Sequence, residues 1–384
     1  MKKIVSIILA MVFLFIAGCA SAAPAQTSST SGTAAQQPSE TTSTSSSTAD
    51  ELTEALNSMK PVALNFGVSL GASHGLLAGI QEFADKVTEA TDGKVTFTLY
   101  PGESLVKNSE LYTSLLSGAV DIVETDPGYS VAYFPYITIY SQSGTDYASY
   151  YATNKVINKL LDKNAYDIPD LDNSEILFGF NMTTQTGIAY NGDAVTELAD
   201  MKGLQLRGTG YAISMINALG ATPVGIGMAE CYEALTKGTI DAAITSWEAM
   251  YNWKLAEVTK SYLNLSIGVT SFHIVAINKD VWDAFPAPVQ EVIKETADEV
   301  SFEMADLARE GDKKGYDLAI QNGVVLKDLT DAQKAEWVNA LSGVKDEWIA
   351  NTVKLGYSED EVRAWVDYFN SVREEINKEY PTAP

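Results

Sequence analysis

Cysteine, histidine and arginine are all scarce in this 384-residue chain. Two cysteines, Cys19 and Cys231, stand far apart, so no disulfide framework can staple the fold and a packed core must hold it. Two histidines, His74 and His273, give no pair at metal-ligand spacing, and no metal or cofactor is expected. The "GTG" at 208–210 has neither dinucleotide spacing nor a following Gly-Lys-Ser/Thr. The chain is therefore expected not to be an enzyme. Cations are few against acids, 26 to 50, and the formal net charge of −24 excludes nucleic acid as a partner. Arginine is the rarest cation. Arg207 stands alone before residue 300, with Arg309, Arg363 and Arg373 in the last quarter. A guanidinium grips a carboxylate through a planar fork that lysine lacks, so its place in "GLQLRGTGYA" asks for a reason.

Long apolar runs are also missing, apart from Ile4–Ala17 behind Lys2 and Lys3. That run reads as a secretory leader over residues 1–18, too short to span a bilayer comfortably. Its end, "IAGC", resembles the lipobox of bacterial lipoproteins, which implies that Cys19 is lipidated and becomes the first mature residue. Residues 19–59 then read as a low-complexity tether of Ser, Thr, Ala, Gln and Pro, with little to bury. A lipid and a leash describe an extracytoplasmic protein held at a cell membrane without crossing it.

Beyond the tether, strand and helix patterns alternate. "VALNFGV" (62–68) reads as a buried strand, Leu76 to about Glu89 as a helix, "KVTFTLY" (94–100) as a strand, then a helix from about Asn108 and a strand at "AVDIVE" (119–124). This βαβαβ rhythm predicts a mostly parallel sheet flanked by helices. "ELYTSLLSGAVD" (110–121) returns 120 residues later as "ECYEALTKGTID" (230–241), each a helix ended by glycine before a strand. The repeat points to two related α/β lobes with a cleft between them. Ala287–Gly311, Asp331–Leu341 and Ser358–Glu379 carry amphipathic helical spacing, with Trp337, Trp348 and Trp365 as core anchors. Cys231, inside a helical pattern, reads as a packed thiol.

From about Leu64 to Glu295 the chain resembles the extracytoplasmic solute-binding subunits of TRAP transporters, the DctP-like family. "GIQEFADKVTEATDGKVTFTLYPGESLVKNSELYTSLLSGAVDI" is similar to the family's first-lobe signature, and "LADMKGLQLRGTGYAISMINALGATPVGIGMAECYEALTKGTIDAAITSWEAMYNWKLAEVTKSY" to its second. The resemblance implies a two-lobed periplasmic-binding-protein-like fold with additional C-terminal helices. Lobe 1 would take about 60–180 plus C-terminal segments, and lobe 2 about 181–285. It implies an organic acid ligand, closed between the lobes and passed to small and large membrane subunits. A binding protein of another uptake or sensory system is the alternative, and a secreted acid–base enzyme a more distant one.

The resemblance places Arg207 at the family's carboxylate-gripping arginine. Asp126 falls where sialic-acid-binding members carry a pocket glutamate, although "DPG" is also turn chemistry. Thr245 replaces an asparagine common in the family, which disfavours sialic acid and simple C4-dicarboxylates, and Trp247 sits near an expected aromatic wall. Tyr129, Tyr133, Phe180, Tyr190 and Tyr211 crowd the cleft segments, some of them necessarily core, and favour a flat or aromatic acid. Before the arginine, "FNMTTQTG" supplies Asn181, Thr183, Thr184 and Gln185 but no second cation, which suits a monocarboxylate or keto acid. His74, at the first strand-to-helix turn, can be a helix cap or a ligand contact.

Overall fold

The computed structural model describes residues 45–381 except 143 and 266–270, with side chains from residue 49. The leader, Cys19 and the tether up to residue 44 lie outside the described residues. The tether's expected end is amended: Ser45–Ser58 is a helix, because Leu52, Ala55, Leu56 and Met59 recur at helical spacing and pack on the first lobe's core.

Among the described residues, eleven strands form two sheets. In chain order they are β1 (Val62–Val68), β2 (Val95–Tyr100), β3 (Ile122–Thr125), β4 (Ser174–Asn181), β5 (Gly187–Tyr190), β6 (Gln205–Arg207), β7 (Thr222–Val224), β8 (Ala242–Thr245), β9 (Ser261–Asn264), β10 (Phe272–Asn278) and β11 (Val325–Asp328). The first sheet runs β2-β1-β3-β10-β4 and the second β11-β9-β5-β8-β6-β7. Read from β2 and from β7, the first five places match, so the two lobes share one topology. Each sheet is parallel except for one reversed strand, β10 or β5. The reason is geometric. Both reversed strands begin where the chain has just crossed from the other lobe, so they enter at the edge where the parallel strands end.

The sequence repeat maps onto this symmetry. Helix Asn108–Leu116 leads through Gly118 (φ +73°) to β3, and helix Met228–Lys237 through Gly238 (φ +68°) to β8. Such φ values suit glycine because a Cβ would crowd the following carbonyl. Asp121 then accepts the Asn65 backbone N–H at 2.8 Å, and Asp241 the Gln205 backbone N–H at 2.7 Å. The paired aspartates register β3 on β1 and β8 on β6.

Lobe membership differs from the expected boundaries. Phe272–Asn278 belongs to the first sheet, and Val325–Asp328 with helix Asp331–Ala340 belongs to the second lobe. Helix Ala287–Gln321, 35 residues and about 50 Å long, packs on helices of lobe 1 and then on helix Glu248–Asn252 of lobe 2. The tryptophans anchor the C-terminal helices by burying large rings while satisfying their N–H groups. Trp337 donates to the Thr196 carbonyl at 3.1 Å, Trp348 to Thr138 Oγ1 at 3.1 Å, and Trp365 to the Tyr136 carbonyl at 2.8 Å. Cys231 is fully buried in the second lobe's core.

Candidate ligand-binding site

The carboxyl ends of four parallel strands meet across the cleft, where open α/β sheets place ligands. Ser69 and Leu70 follow β1, Asp126 and Tyr129 follow β3, Arg207 and Gly208 close β6, and Thr245 and Ser246 close β8. The two crossings contribute Met182 and Thr186 from one and Ser271 from the other, and His273 comes from the start of β10. Together they line a cavity of about 90 Å³, walled further by Tyr211, Ile244 and Trp253.

Arg207 is the cation of this cavity and is buried, with 6% of its surface exposed. Its Nε donates to the Ile226 carbonyl at 3.0 Å and its Nη2 to Tyr129 Oη at 2.9 Å. Among the described residues no carboxylate forms a salt bridge with it. Among the described residues Nη1 makes no hydrogen bond. Burying an unpaired guanidinium is costly, so this is a site that gains when an anion arrives. The Tyr129 bond also crosses from lobe 1 to lobe 2. Beside it Gly210 (φ +53°) lies against Gly128, so close that a Cβ on Gly210 would sit 2.9 Å from the Gly128 Cα. The lobes are closed on each other.

Two acids near the cavity meet a histidine, Glu124 and Glu248. Glu124, fully buried, accepts Ser69 N–H at 2.9 Å, Ser69 Oγ at 2.8 Å and Leu70 N–H at 3.2 Å, and meets His273 Nδ1 with its other oxygen. Burial pulls the His273 imidazole down, but the Glu124 charge outweighs it and raises its pKa. For Glu124 burial pushes upward and the imidazolium more than reverses it, so its pKa is lowered. Asp126 is different: burial raises its pKa, against His273, the Gly128 N–H at 2.7 Å and Arg207. Its turn role and its place in the cavity lining hold together. Among the described residues, Thr245 Oγ1, buried in the cavity wall, has no hydrogen-bond partner.

A model of the bacterial extracellular solute-binding proteins, family 7 (DctP), matches residues 66–351. The chain belongs to that family. Among relatives of this solute-binding protein, one named only as a solute-binding protein, from Albidiferax ferrireducens, is 27% identical over 271 residues, 67% of this chain and 76% of its own. The C4-dicarboxylate-binding periplasmic protein DctP of Rhodobacter capsulatus is 24% identical, over 75% of this chain and 86% of its own. A solved TRAP solute-binding protein from an unidentified marine microbe, described as specific for aromatic acid ligands and holding metahydroxyphenylacetate, superposes with a TM-score of 0.73. It is 25% identical and covers 83% of this chain and 99% of its own. The family is one of transport proteins, not enzymes.

In this solute-binding protein, Arg207, Asp126, Tyr129, Tyr211 and Thr245 share the cavity, and three other expected residues do not. Trp247 is stacked on Tyr262, with ring centroids 3.8 Å apart, and packs into the second lobe's core. The next tryptophan, Trp253, supplies the wall instead, because helix Glu248–Asn252 carries the chain one turn further before it faces the cavity. Gln185 lies in the first crossing, its backbone N–H on Thr183 Oγ1, outside the lining. His74 also lies outside. Its Nδ1 accepts the Leu76 N–H at 3.2 Å just before helix Leu77–Ala90, whose N-cap is Leu76 and has no side-chain capping bond. Phe180, Tyr190 and Tyr133 are core or core-flanking rings.

Sequence reasoning passed over Glu124 and His273. The available signal was a charged or polar residue inside an apolar strand, "DIVET" and "SFHIVAIN", since such a residue is buried and needs a partner.

Behind the cavity, Asp312 of the long helix accepts Thr183 Oγ1 and Tyr150 Oη, each at 2.6 Å, and the Glu248 N–H at 2.8 Å. Burial pushes its carboxyl up to about 7, against the hydrogen bonds and with the Glu248 charge. A folded-state pKa above the unfolded value favours the fold at low pH, and that contribution disappears as pH rises through the folded pKa. The stability of the native chain minus that of Asp312→Asn should therefore fall by roughly 2–3 kcal/mol between pH 5 and pH 8. Chemical denaturation at the two pH values measures it, and a gap that stays constant refutes the assignment.

Proposed function

We propose that this chain is the lipid-anchored substrate-binding subunit of a TRAP-type secondary transporter. In this reading it captures an aromatic or keto monocarboxylate between its lobes and delivers it to small and large membrane subunits. The observation that carries the proposal is Arg207, a buried guanidinium in the cavity lining without a carboxylate partner among the described residues. One carboxylate satisfies it. A second would need another cation, and the cavity's other basic side chain, His273, is already paired with Glu124. Tyr129, Tyr211, Trp253, Met182 and Ile244 supply flat and apolar walls that favour an aryl or planar body over a heavily hydroxylated one. The aromatic-acid specificity stated for the marine neighbour supports the same class, whereas the R. capsulatus relative is named for a C4-dicarboxylate. The anchor rests on the lipobox at Cys19.

A thermal-shift comparison of 3-hydroxyphenylacetate, benzoate, pyruvate and succinate tests the ligand class. A monocarboxylate at about 100 times its Kd should stabilise the fold by about 2.7 kcal/mol, a shift of several degrees, with succinate far weaker. A shift with succinate alone would sink the monocarboxylate reading. Mass spectrometry of the mature N-terminus tests the anchor, and an unmodified Cys19 would remove it.

A further inference from the structure

The lobes also touch at the edge of the cavity, where Glu248, one of its lining residues, meets a side chain of lobe 1 that lies outside it. His74 lies in the loop between β1 and helix Leu77–Ala90, in lobe 1, and Glu248 opens the helix after β8, in lobe 2. They are 174 residues apart in sequence, yet His74 Nε2 meets Glu248 Oε2 at 3.1 Å, with side-chain exposures of 2% and 4%. His74 Nδ1 accepts the Leu76 N–H, so the ring proton belongs on Nε2 and points at the carboxylate. Glu248 is held from several sides. Its Oε1 accepts Ser246 Oγ at 2.9 Å, its Oε2 accepts Asn252 Nδ2 at 2.7 Å, and its backbone N–H is fixed by Asp312 of the helix that spans both lobes. Asn252 Nδ2 also lies 3.2 Å from His74 Nε2.

We propose that His74 and Glu248 form an interlobe latch that favours the closed arrangement, with His74, outside the cavity, as a positioning residue. The physical reason is desolvation. A buried carboxylate keeps its charge only with donors around it, and here one of those donors comes from the opposite lobe. Opening parts the donor from the carboxylate and admits water to both. Removing the imidazole leaves Glu248 short of a donor in the closed form only, so the balance moves toward open. His74 acts on closure, through Glu248 and not through contact with the acid. The latch rests on the reading that the two lobes open and close, and not on the ligand's identity.

The test is hydrogen exchange of the ligand-free protein. His74→Ala should raise exchange about tenfold or more in segments 126–130 and 208–212, which face each other across the cleft, while β1 and β10 stay protected as in the native chain. His74→Gln, whose amide can donate to Glu248, should recover part of that protection. Exchange at the cleft unchanged from native, or raised equally throughout the sheets, overturns the latch. Should His74→Ala fail to fold, His74→Phe decides, since it fills the ring's space and cannot donate to Glu248: the same cleft-confined rise is expected, and native exchange overturns the proposal. Failure of 3-hydroxyphenylacetate to bind would count against the proposed ligand class and leave this comparison standing, because no ligand enters it.

Discussion

Arg207→Ala should weaken binding of the best carboxylate by about 100- to 1,000-fold, or roughly 3–4 kcal/mol. The guanidinium is the cavity's unpaired cation, and the chain around it carries a strongly negative balance, so no diffuse attraction can replace it. The same change should leave the ligand-free fold nearly as stable. It removes the donors to the Ile226 carbonyl and Tyr129 Oη, a modest loss, and at the same time removes a buried charge that no carboxylate compensates. Arg207→Lys keeps the charge and loses the fork, including the Nε bond that aims it, and should cost about 10- to 100-fold. Titration calorimetry on the three proteins, with melting curves alongside, measures both halves. Unchanged affinity in Arg207→Ala would place the carboxylate elsewhere and end the central assignment.

Gly210→Ala should reduce affinity about 10- to 100-fold by preventing full closure. An added Cβ would lie 2.8 Å from the Gly128 carbonyl oxygen and 2.9 Å from its Cα, both backbone atoms of the opposite lobe. Side chains can swing away from an intruding methyl, but these backbone atoms cannot without moving the lobe. Gly210 also sits at φ +53°, ψ −123°, a region costly for a residue with a Cβ, so part of any effect is local strain of about 1–3 kcal/mol. Gly220→Ala separates the two contributions. Gly220 has φ +84° and nothing within 4 Å of its would-be Cβ, so it carries the strain without the collision. Faster ligand dissociation in Gly210→Ala but not in Gly220→Ala is expected by stopped-flow, and equal rates would show that the glycine contact does not govern closure.

Much of this architecture was legible in the chain itself. β1 occupies the stretch read as a strand, and the helix–glycine–strand repeat corresponds to a structural repeat down to the paired Asp121 and Asp241. Such features depend on local periodicity and turn chemistry, which neighbouring residues determine. Arg207 stood out for a similar reason, as an isolated guanidinium at a strand end. The helix Ser45–Ser58 was hidden because three apolar residues and an alanine within an acidic, Ser/Thr-rich stretch give a weak helical signal until a core is present to receive them.

Pairings between distant residues belong to the tertiary structure. His273 finds Glu124 across 149 residues, and His74 finds Glu248 across 174, so nothing local specifies either partner. The same applies to Trp247 and Trp253: both lie near the second lobe's strand end, and only the packing of Tyr262 and Tyr316 around Trp247 decides which ring is core and which is wall. By itself, then, the sequence determined two similar α/β lobes, an acidic chain poor in catalytic groups, and one conspicuous arginine. The tertiary structure decided which acids are neutralised around that arginine, because burial and pairing depend on what the other lobe brings within about 3 Å.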